Sequence, residues 1–362
     1  MPRMLVRVGN LGRDVVPKGL IVRFHTRQAV IVEGILVCGA LVAACSNGAR
    51  HAAPPPAPAP AGTATGAPSP TPAATNPFVG GTRGLHNPVL AVKIDNTHSA
   101  HPQQGLRSAD IVYVEQVEGG VTRIMAVFSS KMPARVGPVR SARISDLHIL
   151  PQYGHPALAY SGVQSKMKPY VRRASLYDVS PDHAGGAYYR AGGRPAPYNL
   201  FARTRTLLAR APKAGKPRDI GFRFGPAPAG GKRTARFTAR WPSGTMSFRW
   251  SSRQKRWLTY YDGQADKAAE GGQLGAPTVV VQYAKTTRSR FHDFLGNYTP
   301  LVRTIGTGKA VVLRDGKSYA AKWSRPSEGK GTTFTTTGGA PMTFANGQVW
   351  VVLVNNGKPR VP

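Results

Sequence analysis

The chain has 362 residues, more than one typical domain needs, and 41% of them are apolar, enough for a core. Its 49 Lys and Arg against 16 Asp and Glu give a net charge of +33. Such a surface attracts polyanions: nucleic acid, anionic lipid headgroups or an anionic wall polymer.

Arg23 and Arg27 precede an apolar run from Ala29 to Ala44, interrupted by Glu33 and closing in Val42-Ala43-Ala44-Cys45. A basic lead, an apolar stretch and small residues before a cleavage point make a secretory signal. The run is too short for a comfortable membrane span. Its last four residues resemble a bacterial lipobox, which implies cleavage before Cys45 and lipidation (palmitate-type) of its thiol. Residues 1–44 are therefore expected to be lead and signal peptide. Cleavage removes Cys38 and lipid occupies Cys45, so no thiol remains for catalysis or zinc and none for a disulfide. Export disfavours nucleic acid as the natural partner. It leaves the membrane, reached through the anchor, with wall polymer or lipid headgroups as anionic ligands.

Residues 45–86 hold the cysteine and a linker rich in Pro, Ala and Thr, partly extended as polyproline II. Folding is expected from Asn87. Val89–Ile94, Ile111–Glu115 and Val121–Ser129 read as strands, with a turn at Glu118-Gly119-Gly120. Gly137–Arg143 is a turn. Ile144–Leu150 reads as a helix start capped near Ser141 or Ser145, Ala157–Tyr160 as a short strand and Ser165–Arg173 as a basic helix. Residues 213–234 read as a linker or long loop. Beyond them Met246–Trp250 and Arg256–Tyr261 form a hairpin, and Thr278–Tyr283 a central strand. Asp315-Gly316 and Asn346-Gly347 each signal a hairpin turn, the second joining Met342–Phe344 to Gln348–Val354. The expected fold class is α+β. A mixed α/β N-terminal domain (87–212) is followed by a smaller β-rich C-terminal domain (235–362).

Acids and arginines crowd the first domain: Asp95, Asp110, Glu115, Glu118, Arg123, Arg140, Arg143 and Asp146. Several fall at strand ends or in following loops, where α/β proteins build ligand sites. Arginine's planar fork matches carboxylate and phosphate oxygens. Asp95, Asn96, Glu118, Arg123, Arg140, Ser141 and Arg143 are the candidate ligand-binding residues, and Cys45 the lipidation site. Asp95, Glu115 and Glu118 have the oxygen chemistry for a divalent metal, yet no metal-ligand motif assigns one. The competing reading has the same arginines neutralising the same acids in buried ion pairs. His98, His101, His148, His155 and His183 lack zinc-site spacing and read as solvated or structural. The His183–Gly186 and Tyr188-Tyr189 stretch, with a possible hinge at Gly192-Gly193, reads as a loop beside a site.

Ala91–Asn96, Pro102–Leu106, Ala109–Tyr113, Glu118–Arg123, Met125–Phe128 and Gly137–Arg143 together resemble the YerB-type lipoprotein family. Pro197–Leu200 looks like that family's His-Asn-Leu-Tyr segment, with Tyr198 where His is usual, and Val279–Gln282, Asp293, Gly306–Gly308, Trp323 and Gly347–Trp350 fit its C-terminal part. The resemblance covers roughly residues 87–355 and implies a two-domain architecture with a pocket, not an activity. A looser likeness, in the order of strands and arginine loop, is to the LytR-CpsA-Psr wall-polymer transferases. Three functions stay open: an anchored lipoprotein binding an anionic envelope ligand, a metal-assisted phosphate- or pyrophosphate-ester enzyme, and a purely structural envelope protein.

Overall fold

Leu90–Asp95 (β1), Ile111–Gln116 (β2) and Thr122–Phe128 (β3) are buried along nearly their whole length. Runs without a polar face belong inside a sheet covered on both sides. β3 pairs antiparallel with both neighbours and sets Asp95 and Glu115 opposite Arg123 on either side. A short helix, Ile144–Ile149 (α1), follows the arginine turn. Its start is closed by Asp146, whose Oδ2 accepts the backbone N–H of Arg143 at 2.7 Å. The serines expected at this cap do other work: Ser145 Oγ accepts the N–H of Val302 at 3.1 Å. Ala157–Ala159 (β4) runs parallel to β1, and after Lys168–Arg173 (α2) Tyr177–Asp178 (β5) runs parallel to β4.

In the second half Arg236–Trp241 (β6), Gly244–Ser251 (β7) and Arg256–Tyr261 (β8) form an antiparallel meander. Thr278–Ala284 (β9) is followed by a hairpin of Thr286–His292 (β10) and Tyr298–Val302 (β11). Gly306–Arg314 (β12) and Lys317–Arg325 (β13) turn through Asp315-Gly316, both at positive φ as the turn signal requires. Thr333–Thr336 (β14) and Val349–Asn355 (β15) complete the order. With few, short helices and many strands in mixed sheets, the fold is α+β with a strand-rich C-terminal part.

The computed structural model describes residues 74–355; the signal run and Cys45 lie outside the described residues. An eleven-stranded sheet runs β14-β13-β12-β9-β15-β2-β3-β1-β4-β5, with a short strand at Lys232–Arg233 on β13. It takes strands from both sequence halves. The described residues belong to one compact unit that starts at Ser69.

Three expectations change. Order begins before Asn87: Asn76 and Phe78 are fully buried, and the Phe78 ring meets Tyr153 edge-on at 5.3 Å. Of the two readings of residues 213–234, linker or long loop, the structure has the loop, packed rather than solvated, because Ile220 and Phe222 enter the core and Phe222 touches Phe344. The Asn346-Gly347 turn does not make a hairpin. β15 instead lies parallel between β9 and β2, since consecutive buried Val, Trp and Leu demand a covered interior position that an edge hairpin cannot give.

Alternation along the strands divides the large sheet into two faces. One face, with Leu90, Val92, Ile94, Val112, Val114 and Trp350, packs on the β6–β8 sheet. There Trp350 meets Phe248 at 6.2 Å, and Trp241 Nε1 donates to the Leu353 carbonyl at 3.1 Å. The other face carries Ala91, Tyr113, Met125 and Val351 and is covered by α1, Met167 and Val171, and the Phe222–Phe344 cluster. Lys93, Asp95, Glu115 and Arg123 share the parity of this second face, so the sheet's charged groups project together beneath α1.

Candidate functional site

β1, β2, β4, β5, β9 and β15 all point the same way. The candidate residues gather at the carboxyl ends of β1 and β2 and at the start of antiparallel β3. The 137–143 segment lies along the end of β1: Asp95 N donates to the Pro138 carbonyl and Arg140 N to the Lys93 carbonyl, both at 2.9 Å. Its other side is held by the loop after β4, through Ser161 N to the Arg140 carbonyl (2.9 Å) and Ala142 N to the Gly162 carbonyl (3.0 Å). Gly137 adopts φ +153°, and a Cβ there would come within 2.8 Å of the Phe201 ring. Only glycine lets the backbone pass that close.

The acids and arginines pair. Asp95 Oδ2 sits 2.6 Å from Arg140 Nε, and its Oδ1 is 3.4 Å from Arg123 Nη1. Glu118 binds Arg143 bidentately, with Nε at 2.8 Å and Nη2 at 2.7 Å, and accepts the hydroxyl of Thr299. Burial alone would raise the Glu118 carboxyl. The Arg143 hydrogen bonds and charge, with Thr299, outweigh it and hold Glu118 below the usual carboxylate range. Arg123 is pulled down to about 10 by burial, and the repulsion of Arg140 and Arg143 acts in the same direction, against attraction to Asp95. The five groups are thus one electrostatic cluster, three guanidiniums against two carboxylates.

The pairing leaves donors free. Arg140 uses Nε on Asp95 and lies over the Tyr198 ring at 5.9 Å. Its terminal nitrogens have no hydrogen-bond partner among the described residues, and its side chain is 24% exposed. Arg143 and Ser141 line an open cavity of about 440 Å³ with Glu118, Lys166, His292 and Phe294. A neighbouring cavity of about 430 Å³, under Tyr160, Lys168, Arg172 and His183, shares Val163 with it. Asn96 is fully buried instead: its amide nitrogen donates to Thr122 (2.7 Å) and its oxygen accepts from Gln103 (3.0 Å).

Glu115 belongs to a second, buried group. Lys93 Nζ lies 2.6 Å from Glu115 and 2.8 Å from Asp146, all three side chains at most 1% exposed. Burial and the repulsion of Asp146 push Glu115 up to about 7 despite the attraction of Lys93. Asp110 is likewise apart, accepting the Ser130 N–H (2.8 Å) and hydroxyl.

The carboxylates an oxygen-ligated metal would need are therefore each held by a cation. Among the described residues no three His, Cys, Asp or Glu side chains gather to hold a metal ion. His101 Nδ1 donates to Asp266 (3.0 Å), and the ring contacts Gln103 (3.3 Å) and stacks on Tyr261 at 4.6 Å, a satisfied structural histidine. The loop around Gly192-Gly193 is clasped, since both terminal nitrogens of Arg194 donate to the Ala100 and Pro102 carbonyls at 2.8 Å.

Sequence reasoning missed Thr299, Lys166, His292 and Phe294, which reach the cavity from the β10–β11 hairpin and the turn before α2. It also missed Lys93 as the partner of Glu115. Asp293 and Gly296, which shape the hairpin tip, were the readable signal for β10–β11.

Residues 76–217 match the family described as the N-terminal domain of a protein of unknown function (DUF3048), and residues 237–351 match its C-terminal domain. A relative from Bacillus subtilis (strain 168), named YerB and described as a candidate lipoprotein, is 34% identical over 112 residues. That match spans 31% of this chain and 34% of the relative, about a third of each. The crystal structure of the Bacillus subtilis YerB protein superposes with a TM-score of 0.66 at 20% identity, covering 78% of this chain and 96% of the other. At that identity the likeness speaks for the fold. With both domains matched in order and the fold shared, the chain belongs to the YerB-type (DUF3048) family.

Proposed function

We propose that this chain is a lipoprotein held on the outer face of the cell membrane through Cys45, and that its arginine cluster binds a phosphate-bearing envelope ligand. The anchor reading rests on the Val42–Cys45 lipobox and on the relative's description as a candidate lipoprotein. Among the described residues no helix is long and apolar enough to cross a membrane, so an anchor would lie outside them. The Cys45→Ala protein is expected to leave the membrane fraction on a high-salt wash, which also releases ionic surface contacts, and retention through that wash counts against the anchor.

The observation that carries the binding reading is Arg140. Its Nε is ion-paired with Asp95 at 2.6 Å while its terminal nitrogens have no hydrogen-bond partner among the described residues, on a side chain that is 24% exposed. A guanidinium held at one end presents preorganised donors to phosphate oxygens. Ser141 and Lys166 line a nearby cavity and add donors, while Arg143, held by Glu118 and the Ser141 and Ala142 carbonyls, adds charge to its wall. Titration calorimetry with inorganic pyrophosphate tests this. Arg140→Ala should weaken binding on the order of tenfold or more, the loss expected for one or two charge-assisted hydrogen bonds. Equal heats for both proteins, or none for either, leave the cluster as structural ion pairs.

A further inference from the structure

The β10–β11 hairpin ends in a tip that the fold does not use. Among the described residues four large apolar side chains are markedly exposed, and three sit here: Phe294 at 96%, Leu295 at 71% and Tyr298 at 53%. Scattered single exposures are ordinary, whereas an apolar cluster on one projection marks an interaction site.

The tip is also stiff. The Asp293 carboxylate accepts the backbone N–H of Leu295 (2.9 Å) and of Asn297 (2.8 Å) and the Asn297 amide (3.0 Å). Asp293 N donates to the Asn297 carbonyl at 2.9 Å, and Gly296 supplies φ +83°. The Gln164 amide straps the base by donating to the His292 carbonyl at 2.9 Å. Phe294 and Leu295 are thus held outward by construction, and little ordering entropy is left to lose on contact.

Cations surround this apolar point. Arg288 lies over the Tyr298 ring at 5.2 Å. Arg290 and Arg173 flank Tyr170 at 5.5 and 5.1 Å, and all three arginines are exposed. Lys166 shares the adjoining cavity with Phe294. A Phe-Leu tip, a tyrosine behind it and a collar of guanidiniums match the depth profile of an anionic lipid surface, apolar below and phosphate above. Nucleic acid would ask for stacking platforms, and Leu295 offers none.

We propose that the β10–β11 tip inserts Phe294 and Leu295 into an anionic membrane, with Arg288, Arg290 and Arg173 on the lipid phosphates. The contact is separate from any anchor at Cys45 and does not rest on the phosphate-binding reading. One consequence does rest on it: insertion sets the cavity behind Phe294 at headgroup depth, so its ligand would be a phosphate presented by the membrane.

The test uses the compact unit from Ser69 to Pro362, which lacks the apolar signal run and both cysteines. It is sedimented with vesicles of phosphatidylglycerol mixed with phosphatidylcholine, and with phosphatidylcholine alone. The wild type should bind the anionic vesicles, and more weakly as salt rises. Phe294→Ser/Leu295→Ser should bind on the order of tenfold or more weakly. Arg288→Ala/Arg290→Ala should lose roughly tenfold on anionic vesicles and little on neutral ones. A fluorophore on Leu295→Cys, the only thiol, should blue-shift and become accessible to a quencher placed on lipid chains. Both tip residues are exposed, so an unchanged urea midpoint will show that the variants remain folded. Unchanged sedimentation of the double serine variant overturns the proposal, as does a label that stays in water on vesicles. A label that becomes buried without lipid, as protein concentration rises, assigns the tip to a second copy and overturns it equally.

Discussion

Replacing Lys93 by methionine removes the one cation between two buried carboxylates, Glu115 and Asp146. The side chain keeps its length, so packing changes little and the effect isolates the charge. The variant must either bury two bare carboxylates or fold with protons on them. Protonating an ordinary carboxyl of pKa about 4 at pH 7 costs about 4 kcal/mol, and at pH 5 about 1–2 kcal/mol. Burial and the repulsion of Asp146 already hold the Glu115 carboxyl above the usual carboxylate range, so it is the one that takes a proton most readily in the variant. The expected loss is about 3–5 kcal/mol at pH 7, the usual range for breaking a buried pair. Carboxyls whose folded pKa lies above the unfolded value stabilise fully below the unfolded pKa, and that contribution fades as pH rises. The deficit should therefore shrink at pH 5. Urea unfolding of both proteins at pH 5 and 7 measures it. A deficit below about 1 kcal/mol at pH 7, or one unchanged at pH 5, refutes the reasoning.

Three further outcomes follow from the geometry. Gly137→Ala places a Cβ against the Phe201 ring and the Leu200 carbonyl at φ +153°. It should cost about 1–3 kcal/mol, read as a lower midpoint in calorimetry, and a neutral result contradicts the close approach. Burial pushes Asp110 up to about 6 against its Ser130 hydrogen bonds. Its share of stability is complete below about pH 4 and lost as pH rises through 6, so the stability of Asp110→Asn relative to wild type should improve over that window. Phe222→Ala, in the packed loop, should cost about 3–5 kcal/mol in urea unfolding; a solvated linker would show almost none.

The strands were legible where the chain spelled them in apolar runs: β1, β2, β3 and β9 are read directly from Val89–Ile94, Ile111–Glu115, Val121–Ser129 and Thr278–Tyr283. Asp315-Gly316 named its hairpin because the turn and both flanks are local. Asn346-Gly347 carries the same turn signal, yet β15 pairs with β9 and with β2, the latter more than two hundred residues upstream, and no local pattern encodes that distance. The site was half legible for the same reason. Residue type and strand-end position pointed to Asp95, Glu118, Arg123, Arg140 and Arg143, and the fold does bring them together. Who pairs with whom depends on β3 register and on the return of the 137–143 segment beside β1, so the split into occupied and free donors was not readable. Thr299, Lys166 and Phe294 come from segments whose sequence carries no charge or motif tied to the arginine turn. Lys93 was hidden in an apolar run, where its hydrocarbon stem passes for core and only the fold shows its ammonium between two acids.

The central claim is that Arg140 presents free donors to a phosphate at the carboxyl end of the sheet, beside an Arg143 whose nitrogens are held by Glu118 and the Ser141 and Ala142 carbonyls. It is tested most directly by following arginine side-chain NMR signals during titration with inorganic pyrophosphate. Arg325 is an internal control, since its nitrogens are taken up by Lys330, Thr304, Ile149 and Glu328. The account predicts saturable shifts of the Arg140 signals while Arg325 stays still. No saturable shift, or equal shifts across the exposed arginines, would contradict it.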